Sequence, residues 1–421
     1  MLEDDLFRRE AGRLVATLTR LFGIEHLALA EDVVQDALCR ALEVWAFHGV
    51  PDNPSAWLLA TAKHRAIDVL RRERTARTFA PDVARHLEAV APPTVAEAFH
   101  PAAIRDDQLR LMFSCCQPEL AEEAQVVLVL HVLCGFSVDE IAHAFLAGTA
   151  AIKKRITRAR QALAASPRLF ELADNEIAAR LPAVHRALYL AFSEGFHGAG
   201  EAAVRADLCH HAVRLTALLL EHPASATTAS RALLALMCFQ TARLPGRLDA
   251  LGDLQPLLDQ DRSRWDRALI AEGQRQMDQA ATGSELTAYH VEAVIAAAHC
   301  SAARAEDTPW AQIVSLYDLL LALRPSPVVA LQRAIAVAEH EGAARGLDEL
   351  AAIPERDRLA GYPFHAAALG ELELRCGRRD AARAHFELAV ALARNPAERR
   401  FLARRADACG PPRPAGVARS A

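Results

Sequence analysis

From Ser137 to Leu163 the apolar and polar positions fall into two short helical registers joined by a break. Ser137 with Glu140 three residues on makes a capping box, and Ile141 and Phe145 then share one face. Leu146, Ala147 and Gly148 make a short glycine-containing turn, and Thr149 is placed to cap a second helix. In that helix Ile152, Ile156, Ala159 and Leu163 form a single apolar stripe. Lys153, Lys154, Arg155, Arg158 and Arg160 lie mostly off the stripe, and no acid interrupts them between Thr149 and Leu163. A helix held by its apolar side and showing cations outward suits a major groove lined by phosphates. A basic surface helix in an α-bundle would explain the cations alone. The capped first helix, the glycine turn and the acid-free second helix together point to a DNA-binding helix-turn-helix.

Helical periodicity also runs through the rest of the chain. Leu2 to Leu21 carries Phe7, Ala11, Leu14, Val15 and Leu18 on one face. Leu29 to Phe47 buries Val33, Val34, Ala37, Leu38, Ala41 and Trp45, and shows Glu31, Asp32, Gln35 and Asp36 on its other side. Acids in a first turn are also ordinary partners of the helix dipole. Asn53 before Pro54 marks the next helix start. That helix opens apolar with Trp57, Leu58 and Leu59 and ends basic, with Lys63, His64, Arg65, Arg71, Arg72 and Arg74. The dipole accounts for the last three cations but not for Lys63 and Arg65 in mid-helix, so a second nucleic-acid surface is expected.

Phe79 to Pro101, with four prolines, reads as a linker, and Asp106 to Cys116 and Glu119 to Leu133 as two further helices. After Ser166–Pro167, one helical pattern follows another to about Ala406. Gly342 and Gly377 each sit between two helices, 377 − 342 = 35 residues apart, close to the ~34-residue tetratricopeptide period. Ala382 and Phe386 fit that pattern; Leu347 and Ala351 fit it less well, and LLLEHPAS at Leu218 is weakly echoed by LLLALRPS at Leu319. Irregular helical repeats forming a solenoid are expected, with a disordered tail from Gly410. One segment stands apart: from Leu257 to Ile270, acids and arginines alternate around Trp265. It fits either a salt-bridged helix start with Trp265 in the core or an exposed regulatory contact surface made by Asp259, Asp261, Arg262, Arg264 and Trp265. Tyr189 to Phe196, YLAFSEGF, reads as packing.

Composition narrows the class. Alanine and leucine dominate the 421 residues, which favours an all-α protein of two or three domains. The net charge of −5 argues against a protein that coats nucleic acid non-specifically, so DNA contact must come from local patches. Nine cysteines without a CxxC argue against a zinc ribbon and predict free, mostly buried thiols. MLEDDLFRRE is no signal peptide, and the apolar run Ala124 to Val138 is too short to span a membrane, so a soluble cytoplasmic protein is expected. The chain has no HExxH, phosphate loop or nucleophile elbow, and His210–His211 point to different sides of a helix; no enzyme and no cofactor are expected.

The quoted segments resemble an extracytoplasmic-function sigma factor. Ala30 to Trp45 looks like regions 2.1–2.2, Asn53 to Glu73 like regions 2.3–2.4, and the helix-turn-helix like region 4. RLMFSCCQPEL, YLAFSEGF, LLDQDRSRWD, YHVEAVIAAAHC and NPAERRFL resemble the subgroup with a long helical-repeat extension. Gln117 departs from it, standing where the resemblance leads one to expect a His after the double Cys, so no metal site is expected. The resemblance implies region 2 over residues 1–78, a linker over 79–105, region 4 over 106–166, an extension over 167–408 and a tail over 409–421. It implies that Asp32, Gln35 and Asp36 face the β′ clamp of RNA polymerase core, with region 4 near the β flap. Trp57, Lys63, His64, Arg65, Arg71 and Arg72 would meet the −10 element of promoter DNA. Thr149, Lys153, Lys154, Arg155 and Arg158 would meet the −35 element. The solenoid would regulate the factor, supporting its active arrangement, and offers a concave surface to a peptide or protein partner. A one-component helix-turn-helix regulator with a sensing solenoid is the alternative.

Overall fold

The computed structural model describes residues 2–76, 101–145, 147–165, 174–198, 204–249 and 252–410. The expected linker up to residue 100, Leu146 of the turn, the Ser166–Pro167 break and the tail beyond Gly410 lie outside them. Among the described residues every element is helical apart from one isolated bridge, Leu248 with Leu254. The chain forms two compact units, Met1–Phe192 with Arg214–Ala226, and Ser193–Val213 with Thr227–Ala421.

The first unit begins with α1 (Leu2–Phe22), α2 (Leu27–His48) and α3 (Pro54–Ala76). The expected apolar faces are inside: Leu14, Val15 and Leu18 of α1, and Val33, Val34, Ala37 and Ala41 of α2, are all buried. Gly23, at φ 94°, lets the chain leave α1 in a conformation that side chains resist. Asn53 caps α3, its Oδ1 accepting from the Ala56 amide at 3.0 Å. Trp45 and Trp57 meet edge to face at 5.5 Å and tie α2 to α3.

Helix α4 (Pro101–Cys115) starts inside the stretch expected to be linker up to residue 105. Proline at a first helical position loses no hydrogen bond, so Pro101 opens a helix rather than preventing one. Helix α5 (Glu122–Leu128) runs on into a single π-turn, Val129–Leu133, and then come α6 (Val138–Ala144) and α7 (Thr149–Ala164). Helix α1 lies on this second group. A Cβ at Gly12 would stand 2.6 Å from the Leu133 carbonyl oxygen, so the two backbones can approach only because residue 12 is glycine. Arg20 reaches the buried Asp107 of α4 at 2.7 Å. Helices α8 (Asp174–Phe196) and α9 (Ala206–Leu219) each contribute to both units.

The second unit holds α10 (Thr228–Ala242), the short α11 (Leu244–Arg247), α12 (Arg267–Ala280) and α13 (Ala288–Ser301). It continues through α14 (Trp310–Leu323), α15 (Pro327–Glu341), α16 (Ala343–Ala351), α17 (Pro363–Arg375), α18 (Arg379–Leu392) and α19 (Pro396–Ala408). From α13 onward each helix packs on the next, as in a helical-repeat array. Gly342 and Gly377 sit in the turns at φ 103° and 79°, which explains glycine at both. Ala382 and Phe386 are buried, with Phe386 against Gly370. The last helix does not simply cap the array: Arg400 and Arg404 of α19 pair with the buried Asp253, at 2.5 and 3.0 Å, near the start of the unit.

Candidate nucleic-acid interface

The helix-turn-helix forms by the local interactions its sequence spells out. The Ser137 amide donates to Glu140 Oε2 at 2.7 Å, and the Glu140 amide donates to Ser137 Oγ at 3.1 Å, closing the capping box. Ile152, Ile156, Ala159 and Leu163 are buried, so α7 is fixed by its stripe. Lys153, Lys154 and Arg158 are exposed on the other side. Thr149 departs from expectation: Gly148 occupies the N-cap position, and the Thr149 hydroxyl, already inside the helix, donates to Asp139 Oδ1 of α6 at 3.0 Å. It ties the two helices together instead of capping one.

Two cations of α7 have carboxylate partners from other helices. Arg155 pairs with Glu123 of α5 at 2.9 Å; both side chains reach solvent, so the pair is weak and exchangeable. Arg160 pairs with Glu31 of α2 at 2.5 Å, and His131 Nε2 lies 3.6 Å from the other Glu31 oxygen. Glu31 thus leaves the acidic face on which its spacing put it and turns inward. Burial pushes its carboxyl up, against the pull of Arg160 and His131.

Asp32, Gln35 and Asp36 are exposed on α2. On α3, His64, Arg65, Arg71 and Arg72 are exposed, Lys63 is half-buried, and Trp57 is half-buried against Trp45. Arg65 Nε donates to Asp36 Oδ2 at 3.1 Å, so two residues expected to meet different partners meet each other. Both are about half exposed, and the pair gives way readily to a stronger partner.

The segment around Trp265 divides in two. Asp259, Asp261 and Arg264 are exposed, whereas Trp265 and Arg262 are 2% and 5% exposed. Arg262 donates to the His299 and Ala302 carbonyls, both at 2.9 Å, and to Thr308 Oγ1 at 3.0 Å. The expectation that Arg262 and Trp265 belong to a contact surface is therefore corrected: both are internal, because the indole needs apolar cover and the guanidinium closes three acceptors. Asp261 and Asp266 are caps, accepting from the Ser263 amide, and from the Ala268 and Leu269 amides.

Sequence reasoning missed a cluster in the second unit made of Phe196, His197, Arg243, Arg247 and Trp265. Its one sequence signal is the pair of arginines four apart in ARLPGR, directly after an apolar helix. Cys115 and Cys116 are buried thiols, the latter pushed up to about 12 by burial, and Gln117 beside them is buried too. Among the described residues no group of His, Cys, Asp and Glu is arranged to hold a metal ion, and no helix is long and apolar enough to cross a membrane.

Comparison with known proteins falls on the same elements. Residues 6–76, covering α1 to α3, match sigma-70 region 2, and residues 110–163 match sigma-70 region 4. Residues 180–281 match a family of unknown function, DUF6596. An uncharacterized protein of Rhizobium meliloti (strain 1021) is 38% identical over 391 residues, 92% of this chain and 91% of its own. A probable ECF RNA polymerase sigma factor, SigI, of Mycobacterium tuberculosis (strain CDC 1551 / Oshkosh) is 26% identical over 189 residues, 45% of this chain and 60% of its own.

Proposed function

Because the chain belongs to the extracytoplasmic-function sigma factors and carries a carboxy-terminal extension, we propose that it brings core polymerase in the cytoplasm to a particular set of promoters under the control of that extension. One observation carries the reading: Lys153, Lys154 and Arg158 are exposed on the side of α7 opposite its buried stripe. An anchored helix with an outward cationic face is what groove entry requires. Arg155 joins this face by exchanging Glu123 for a phosphate, which a solvent-exposed pair permits at little cost.

In region 2 the exposed Asp32, Gln35 and Asp36 of α2 dock on the β′ clamp, and region 4 lies near the β flap. Arg65, Arg71, Arg72, His64 and Lys63 of α3 take the −10 strand, with Trp57 at the apolar end of the same helix. Arg65 is released for this when Asp36 engages polymerase, so polymerase docking and DNA capture are coupled through one weak ion pair. The extension supports the active arrangement, with Asp259, Asp261 and Arg264 as its outward groups toward a protein partner.

The test is transcription in vitro with core polymerase and genomic DNA, with start sites mapped. Discrete new starts are expected that depend on this chain. Binding to an operator without polymerase, and no new starts with it, would show a one-component regulator instead. A chain ending at Arg168 tests the extension: lost promoter activity with retained polymerase binding supports an activating role, and higher activity makes the extension an inhibitor.

A further inference from the structure

Among its described residues, the second unit encloses more positive charge around α11 than it neutralises. Arg243 is 7% exposed and follows directly on α10. Its Nη1 donates to Gln240 Oε1 at 2.9 Å, and its Nε is enclosed without a partner. Arg247, at the end of α11, has an enclosed Nε without a partner as well. Their guanidinium carbons stand 5.9 and 3.9 Å from the centre of the same Phe196 ring. That of Arg243 also stands 5.7 Å from the Trp265 ring. Gly246 between the two arginines is what lets α11 lie on the indole, since a Cβ there would be 3.0 Å from Trp265 Nε1.

Among the described residues counter-charge is short. The carboxylate that bears on Arg247 is Glu398, and it is already committed to Arg394, whose Nη2 donates to Glu398 Oε1 at 2.7 Å and whose amide donates to Oε2 at 3.0 Å. Arg262 has two carbonyls and a hydroxyl as acceptors for its Nη groups, although its Nε is enclosed without a partner too. Burial pulls Arg243 down to about 10 and Arg247 to about 9. An arginine keeps its proton even so, and each guanidinium offers five N–H donors. Ring faces offset part of the burial cost but accept none of those donors along their N–H directions. Two adjacent guanidinium groups short of acceptors match the geometry of a carboxylate or phosphate group.

We infer that Arg243 and Arg247 form an oxyanion-binding site, taking the carboxylate or phosphoryl group of a small ligand against the faces of Phe196 and Trp265. The ligand is small because the donors it must reach are enclosed: an acidic protein surface cannot follow them inward. The site places an effector inside the extension, against Trp265 of the Asp261–Asp266 segment, and it stands independently of the promoter reading above.

Thermal unfolding of the full-length protein tests it, in sodium phosphate or sodium succinate against sodium chloride at equal ionic strength and pH. A saturable rise of the melting midpoint of about 2–4 °C over chloride is expected. A response to phosphate alone assigns a phosphoryl ligand; a response to succinate, with or without phosphate, assigns a carboxylate. Arg247→Met keeps an apolar chain over Phe196 and removes the charge. It should melt no lower than the wild type in chloride and lose the anion response. Isothermal titration of the wild type with both anions gives a second readout that needs no variant. Responses no larger than in chloride, an Arg247→Met protein that responds like the wild type, or one that melts far below it in chloride, would each overturn the site.

Discussion

The contact between Arg160 and Glu31 offers the sharpest test of how α2 and the helix-turn-helix of the first unit are held together. Arg160→Met keeps the length of the side chain but leaves the Glu31 carboxylate with His131 alone, 3.6 Å from one oxygen. Breaking a fully buried ion pair in this way costs about 3–5 kcal/mol. Glu31 keeps 14% of its side chain exposed, so the loss here should be nearer ~2–3 kcal/mol at neutral pH. Glu31→Gln is milder. It leaves the charge on Arg160, which is 27% exposed and can turn toward water, and should cost about 1 kcal/mol. The pH dependence identifies the cause. Burial raises the Glu31 pKa in the folded chain, so the folded state holds the proton more tightly than the unfolded state does. Its ionisation therefore works against folding, not at all below both pKa values and fully above both. Removing Arg160 takes away the main attraction opposing burial and raises that pKa further. The deficit of Arg160→Met should thus be smallest near pH ~4.5, the ordinary value of the carboxyl, and larger at neutral pH. Urea titrations of the full chain at the two pH values, read by amide exchange along α2 and α7, measure it. A deficit that is equal at both pH values, or below about 0.5 kcal/mol at the higher one, refutes the reasoning.

Lys154→Ala with Arg158→Ala should weaken promoter binding by on the order of 1–3 kcal/mol per lost contact and flatten its salt dependence, while polymerase binding persists; footprints against salt concentration check both. Asp32→Lys with Asp36→Lys should leave the melting midpoint within a degree or so, since both residues are exposed and the Asp36–Arg65 pair is weak, and should sharply reduce co-elution with core polymerase. Burial holds His299 near about 3, far below the 6.5 of a free imidazole. The stability it contributes is present above pH ~6.5 and lost as the pH falls below it, by at most about 1.4 kcal/mol per pH unit, so α10 to α19 should lose exchange protection on acidification. Protection that stays flat from pH ~6.5 to ~4.5 counts against a buried neutral imidazole.

What the chain's pattern determined by itself is what depends on neighbours in sequence. The capping box at Ser137 and Glu140, the stripe of α7, the apolar faces of α1 and α2, and the glycine turns at residues 342 and 377 rest on periodicity, caps and backbone sterics, which act within a few residues. What the tertiary structure alone decided is what happens when separate elements meet. Spacing put Glu31 beside Asp32 and Asp36 on a polar face, but packing of α7 turned it inward to Arg160. The alternation of charges around Trp265 looked alike along the chain. Only the approach of the loop after α13 separated Arg262, which closes its carbonyls, from Asp261 and Arg264, which stay in water. Arg243 and Arg247 belong to the same class. A charged residue reads as solvent-facing wherever it stands in a sequence, and its burial depends on partners contributed from far along the chain: Phe196, Trp265 and Glu398.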